Sequence, residues 1–222
     1  MPFQPPIPLR KRFVAISYWI STFCEGASRI IIPLYFYSVG ISVTKISIMF
    51  VFYEVFGLIT TMFSGFLNNK WGYKKSFLLS LILHTIASFG YLFIHHVGPF
   101  IIAIIMVNIL RSLRGIAKEL IKTTSSAYFC QISKSHLDAS FLIGGKDSIK
   151  GIGLLMGGIL LSLLSFKKTF LLLGLLTFCC LIFSFFTLED FREVKKVSYR
   201  GFFDFERDML CLGLVRAFLY AG

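Results

Sequence analysis

Charge is scarce in this sequence, and acid is scarcer than base. Only 15% of the 222 residues are charged, and 11 Asp and Glu stand against 23 Lys and Arg. No Ser/His/Asp arrangement, glycine-rich phosphate loop or paired-carboxylate motif occurs in a polar joint, so the sequence offers no enzyme site. His84, His95, His96 and His136 have no metal-ligand spacing. The five cysteines (Cys24, Cys130, Cys179, Cys180, Cys211) include no C-x-x-C and no zinc spacing. Cys179 and Cys180 are adjacent, so on a helix they point about 100° apart. That favours apolar packing over a soft-metal site. No disulfide framework, metal or cofactor is expected.

What fills the chain is apolar. Hydrophobic residues make up 56%, and the mean hydropathy is +0.77. Long apolar runs divided by short polar joints define an all-α, polytopic membrane protein. The net charge of +12 would point to nucleic acid in a soluble domain. Here the bases gather in joints on one side, which is a topology signal, so no nucleic-acid partner is expected.

Pro2, Pro5, Pro6 and Pro8 precede Arg10, Lys11 and Arg12, and an apolar run follows to Tyr37. That run is too long for a signal peptide, contains Glu25 and Arg29, and lacks a clear small-residue cleavage site. It reads as the first of six spans, at 13–37, 46–67, 76–95, 100–122, 141–164 and 168–188. The fifth must extend back through Lys146, Asp147 and Lys150, because its clean apolar part is too short to cross alone. A run from Met209 to Gly222 reads as the opening of a seventh helix. Twelve bases lie in the joints on one side, among them Lys70, Lys74, Lys75, Lys134 and Arg192, against three on the other, Lys45, Lys167 and Lys168. The N-terminus (1–12) and the joint at 189–207 are therefore expected in the cytoplasm, flanking a six-helix bundle at 13–188, with the partial helix at 208–222. The bilayer expected is the cell (inner) membrane.

Charges inside the spans are costly and commonly mark a solute or ion pathway. Glu25 and Arg29 lie four apart on one face near mid-membrane. They read either as a local ion pair or as an acid that titrates during transport, held by Arg29. Glu54, preceded by Tyr53, has no base three or four positions away. It reads as a proton carrier, as the partner of a cation on another helix, or as a group facing a wet vestibule. Arg111, Arg114, Lys118 and Lys122 are spaced three, four and four apart, which stacks them on one helical face. Lys122, with Lys118 in a lesser degree, can be read as snorkelling to headgroups. Arg111 is too deep for that, and with Lys146 it is expected to contact an anion. Lys150 shares a face with Lys146. The span charges carry an excess of three positive charges, which suits phosphate or carboxylate. Gly153 and Gly157, with Gly158 adjacent, mark a close helix approach.

Gly65, Leu67, Asn69, Lys70, Gly72, Lys74 and Lys75, between the second and third spans, resemble the cytoplasmic loop motif of the major facilitator superfamily, G-x-L-x-D-[RK]-x-G-[RK]-[RK]. Gly65 is expected to permit close helix contact and Gly72 a tight turn. Asn69 stands where the family has its acid, and Tyr73 where it has a base. More of the chain resembles one branch, the organoarsenical efflux permeases. Tyr18-Trp19, Glu25-Gly26-Ala27-x-Arg29 and Phe52-Tyr53-Glu54-x-x-Gly57 are similar to that branch's first two spans. The run from Gly115 to Lys122 is similar to its G-I-A-K-D-L-T-K, with Glu119 for Asp and Ile121 for Thr. Gly145-Lys146-Asp147-x-x-Lys150-Gly151 is similar to its fifth span, and Arg216-Ala-Phe-Leu to the start of its seventh.

The resemblance implies twelve helices in two six-helix halves, of which this chain holds the N-terminal half and the start of the seventh helix. It implies alternating access and proton-coupled export of an arsenylated phosphoglycerate, hence arsenic resistance. Within it, Arg29, Arg111, Arg114, Lys118, Lys146 and Lys150 would bind the anion, and Glu25 and Glu54 would couple protons. The partners expected are the bilayer, a small anionic solute, protons and a C-terminal half. The alternatives are a multidrug or sugar permease of the same superfamily, or an inactive permease fragment or half-length membrane scaffold.

Overall fold

The computed structural model describes residues 7–96, 100–132 and 136–189. The chain divides into two units, Met1–Arg192 and Glu193–Gly222, and all the described residues fall in the first. The run from Met209 to Gly222, the joint beyond Glu189, Lys134 and Cys211 lie outside them, as do the side chains of Arg10, Lys11, His95, His96 and His136.

The described residues form six helices and no strand. They are α1 (Ile7–Ser38), α2 (Val43–Trp71), α3 (Tyr73–Gly90), α4 (Phe100–Ile132), α5 (His136–Leu163) and α6 (Phe166–Thr187), with a short 3-10 turn at Tyr91–His96 after α3. Each expected span is a helix, but hydropathy marked the helix ends poorly. The joint expected at 68–75 shrinks to Gly72. Asn68, Asn69 and Lys70 are polar but compatible with a helix, so α2 runs through them. Gly72 has φ +88°, a region that side chains other than glycine rarely enter, so the chain turns there and α3 starts at the next residue. The expectation of a tight turn at Gly72 holds; the expectation of close contact at Gly65 does not, because a Cβ there would meet nothing within 4 Å. Likewise α4 continues ten residues beyond Lys122. Thr123 donates to the Glu119 carbonyl at 2.9 Å and Ser126 to the Lys122 carbonyl at 2.9 Å. Such bonds let hydroxyl residues continue a helix where the apolar pattern stops.

The polarity of the bundle is inverted relative to a water-soluble one. Its outer surface carries large apolar side chains such as Leu58, Leu155, Leu163 and Phe186. Its interior holds Ser76, Ser80, His84, Thr85 and Ser88 of α3 and Thr169, Thr177 and Ser184 of α6. Thr85 and Thr177 meet at 3.3 Å, and Ser17 and Ser184 at 3.2 Å. Interhelical hydroxyl contacts of this kind join helices in lipid, where apolar burial gives no driving force. α2, the segment Tyr73–Ile94 and α6 are long and apolar enough to cross a membrane by length and composition. α1, α4 and α5 span 32, 33 and 28 residues, and they carry the intramembrane charges read from the sequence apart from Glu54, which lies on α2. Cys180 of α6 is buried while Cys179 is exposed, as their angular separation requires.

Backbone contact organises the helices into pairs. α1 lies against α5 and α2 against α4, while α3 packs on both α4 and α6. A Cβ at Gly153 would fall 2.5 Å from the Phe23 carbonyl oxygen, and one at Gly157 would fall 2.6 Å from that of Ala27. A Cβ at Gly26 would fall 2.5 Å from the Lys150 carbonyl oxygen. The close approach expected of Gly153 and Gly157 is therefore present, with α1 as the neighbour, while Gly158 has nothing within 4 Å. Gly115 of α4 sits directly on the Tyr53 carbonyl of α2, and Gly57 faces Gly115 in return.

Candidate functional site

Between these pairs lies a cavity of about 230 Å³. α1 lines it with Tyr18, Ser21, Thr22, Glu25 and Arg29, α4 with Lys118, Glu119, Ile121 and Lys122, α5 with Lys146, Asp147 and Lys150, and α3 with His84. Five cations thus face three carboxylates. The rim is exposed at Lys122 and Asp147, and the inner end is closed by Ser21, Glu25 and His84, all buried.

A ladder of ion pairs runs along one wall. Arg29 donates from Nε to Glu25 Oε1 at 3.3 Å and from Nη2 to Glu54 Oε1 at 3.1 Å. Lys118 Nζ reaches Glu54 Oε2 at 3.4 Å and Glu119 Oε1 at 3.0 Å. Lys122 Nζ closes the series on Glu119 Oε2 at 3.1 Å. Three helices contribute, so the ladder ties α1, α2 and α4 together. Tyr53 sits at its centre. Its hydroxyl donates to Glu25 Oε1, and its ring lies 5.2 Å from the Arg29 guanidinium and 4.9 Å from Lys118 Nζ. On the opposite wall Lys146 is 3.8 Å from Asp147. Among the described residues no carboxylate pairs with Lys150.

Of the cations singled out in the sequence, Arg29, Lys118, Lys146 and Lys150 meet at this cavity. Arg111 and Arg114 do not line it, although they belong to the same stripe. Both are fully buried. Arg111 lies 4.2 Å from the Phe50 ring and 5.0 Å from that of Tyr53, and none of its guanidinium nitrogens has a hydrogen-bond partner. Arg114 donates to Ser88 Oγ at 3.0 Å and lies near the Tyr91 and Phe170 rings. Arg111 thus lies against α2, and Arg114 against α3, the 3-10 turn and α6. Glu54 has cross-helix partners in Arg29 and Lys118, and its side chain is also exposed. Lys122 lines the cavity and pairs with Glu119, and it sits well before the end of its helix. Gly65, Asn69 and Lys70 belong to α2 and Lys74 and Lys75 to α3, and none lines the cavity. Asn68 accepts a bond from Thr124 at 2.8 Å in the buried α2–α4 contact.

Ser21, Thr22 and His84 also line the cavity, and neither charge nor spacing marks them in the sequence. A histidine in the middle of an apolar span was itself a signal, for the same reason that an intramembrane carboxylate is one.

The bundle is thus apolar outside and encloses a polar, cation-rich cavity. No curated protein matches the chain. The family model of the Major Facilitator Superfamily matches residues 14–221. The chain is thus a multi-pass membrane protein that belongs to the Major Facilitator Superfamily, a family of transporters.

Proposed function

We propose that the chain forms the N-terminal six-helix half of a proton-coupled exporter of small organic anions. The observation that carries this reading is the charge of the cavity wall. Five cations line it against three carboxylates, and with Glu54 and the buried Arg111 and Arg114 behind the wall the excess is three positive charges. Lys146 and Lys150 are least committed to carboxylates, so they are the primary contacts. Arg29 and Lys118 bind the anion by exchanging away from Glu54. Arg111 and Arg114 add to the positive field from the buried layer behind.

Glu54 accepts from both Arg29 and Lys118, so a proton on Glu54 weakens its hold on two cations and frees them for the solute. Glu25, held by Tyr53 and Arg29, is the second acid of the same circuit. In this reading residues 13–188 form the half-bundle, 1–12 and 189–207 lie in the cytoplasm, and 208–222 begin the second half. Asn69, Lys70, Lys74 and Lys75 around Gly72 form the inner joint that moves between access states. The likeness of the first, second, fourth and fifth spans to organoarsenical permeases favours an arsenylated phosphoglycerate as the solute and the inner membrane as the site.

Flux into inverted membrane vesicles tests the reading. Uptake of glycerol 3-phosphate above control vesicles, abolished by a protonophore and by Lys146→Gln, is the expected result. A preference for neutral or cationic solutes overturns the anion assignment, and flux indifferent to the protonophore overturns the coupling. Growth in arsenate with and without the locus decides the arsenic branch.

A further inference from the structure

The inner end of the cavity differs in chemistry from its rim. Ser21 and Glu25 lie four apart on one face of α1, and His84 reaches the same space from α3. All three are at least nine-tenths buried. Ser21 Oγ, Glu25 Oε2 and both ring nitrogens of His84 have no hydrogen-bond partner. Buried polar groups ordinarily have partners, and leaving one without is costly. Three such groups converging on one cavity end mark a place built to be hydrogen-bonded by what enters.

Their chemistry selects the guest. Glu25 Oε2 only accepts, since Tyr53 and Arg29 both donate to the other oxygen. A serine hydroxyl donates and accepts, and a neutral imidazole presents one of each. A solute hydroxyl complements this set, donating to Glu25 while accepting from Ser21 or His84. An ammonium could also donate to Glu25, but Arg29 already balances that carboxylate, and Arg111 and Arg114 are buried nearby without a carboxylate partner. The surplus charge there is positive, which selects a neutral donor. The volume of about 230 Å³ is below the roughly 300–1,000 Å³ of drug-sized sites, so one small molecule spans both ends.

We infer that Ser21, Glu25 and His84 form a hydroxyl-recognition subsite, so that the solute is a small hydroxylated anion with its charge at the lysine rim and its hydroxyl at the buried end. The inference rests on the anion reading above and adds the second half of the solute.

The test compares two probe pairs on the purified full chain by calorimetry: glycerol 3-phosphate against n-propyl phosphate, and glycerol against 1-propanol. Glycerol 3-phosphate is expected to bind about tenfold more tightly than propyl phosphate, the loss expected when a site's polar groups go unpaired. Ser21→Ala and His84→Phe should each shrink that ratio severalfold, by weakening glycerol 3-phosphate and sparing propyl phosphate the unpaired polar groups, and retained propyl phosphate binding shows that the variants fold. His84→Asn, which keeps a donor and an acceptor, should restore part of the ratio. Lys146→Gln should weaken both phosphates alike. Equal binding of the two phosphates, unaffected by Ser21→Ala and His84→Phe, means the inner end holds water only and overturns the subsite while leaving the anion reading intact. Binding of glycerol over propanol with neither phosphate bound overturns the anion reading and keeps a hydroxyl site. Absence of binding by all four overturns both. A tighter hold on 2-aminoethyl phosphate than on glycerol 3-phosphate overturns the choice of hydroxyl over ammonium.

Discussion

The two ends of the α4 cation stripe are alike in sequence and opposite in circumstance. Arg111 and Arg114 are buried against aromatic rings, Arg111 on α2 and Arg114 toward α3 and α6, and among the described residues neither pairs with a carboxylate. Lys118 and Lys122 sit one and two turns further on at a wet wall, each held by an acid. Gly115 separates the two regimes, since there the backbones of α2 and α4 touch. The guanidiniums spread their charge over a flat surface that stacks on rings, whereas the compact ammoniums need acids or water. A single helical stripe therefore serves as a buried source of positive field at one end and as exchangeable contacts at the other.

The largest expected effect comes from breaking the boundary itself. Gly115→Val puts a branched side chain onto the Tyr53 carbonyl, where the nearby atoms are backbone and have little room to give. Thermal unfolding in detergent should show a loss of ~3 kcal/mol, at the upper end of overpacking penalties. An unchanged midpoint would mean that α2 and α4 are not in backbone contact.

Next is the contrast in binding. Lys146→Gln or Lys150→Gln should each cost about 1.5 kcal/mol of anion affinity, roughly tenfold. Arg111→Gln should cost less than about threefold, since Arg111 acts from behind the wall by an attenuated field. Lys167→Gln, in the first turn of α6 and away from the cavity, should leave affinity unchanged. Equal losses at Lys146 and Lys167, read by calorimetry with glycerol 3-phosphate, would remove the cavity from consideration as the binding site.

A smaller effect sharpens the comparison through stability. Arg111→Met removes a buried, unpartnered cation and should leave the chain as stable or raise its stability by ~1 kcal/mol, as replacing buried charge by well-packed apolar atoms often does. Lys118→Met leaves Glu54 and Glu119 short of a partner and should lower stability by about 1 kcal/mol. Paired melts decide this, and a larger loss at Arg111 than at Lys118 would reverse the assignment of the two ends. The smallest effect is expected at Lys122, whose side chain is 46% exposed. Lys122→Gln should change stability by less than ~0.5 kcal/mol, and the change should fade with added salt.

The helices were legible in the sequence because the apolar runs, the fifth extended through its charged part, are long enough to span and are divided by polar breaks. Their ends were not, because Thr123, Ser126, Asn68 and Lys70 are polar without being helix breakers, and only Gly72 forces the turn. The charged positions of the site were legible from the cost of burying them. Their sorting was not. The spacing of Arg111, Arg114, Lys118 and Lys122 gives their common face, but whether that face meets α2 or open cavity depends on the close approach of Gly57 and Gly115. His84 and Ser21 were missed because a lone imidazole or hydroxyl in an apolar run gains meaning only from what stands opposite it.

The paired helices have a mechanical consequence. α1 and α5 are joined through Gly26, Gly153 and Gly157, and α2 and α4 through Gly57 and Gly115, all at distances that leave no slack between backbones. Each pair therefore behaves as a stiff beam. Along the cavity the beams are stitched by side chains, through Arg29 with Glu54 and Tyr53 with Glu25. Those long, rotatable groups could re-pair from one turn to the next without disturbing the glycine contacts within either beam.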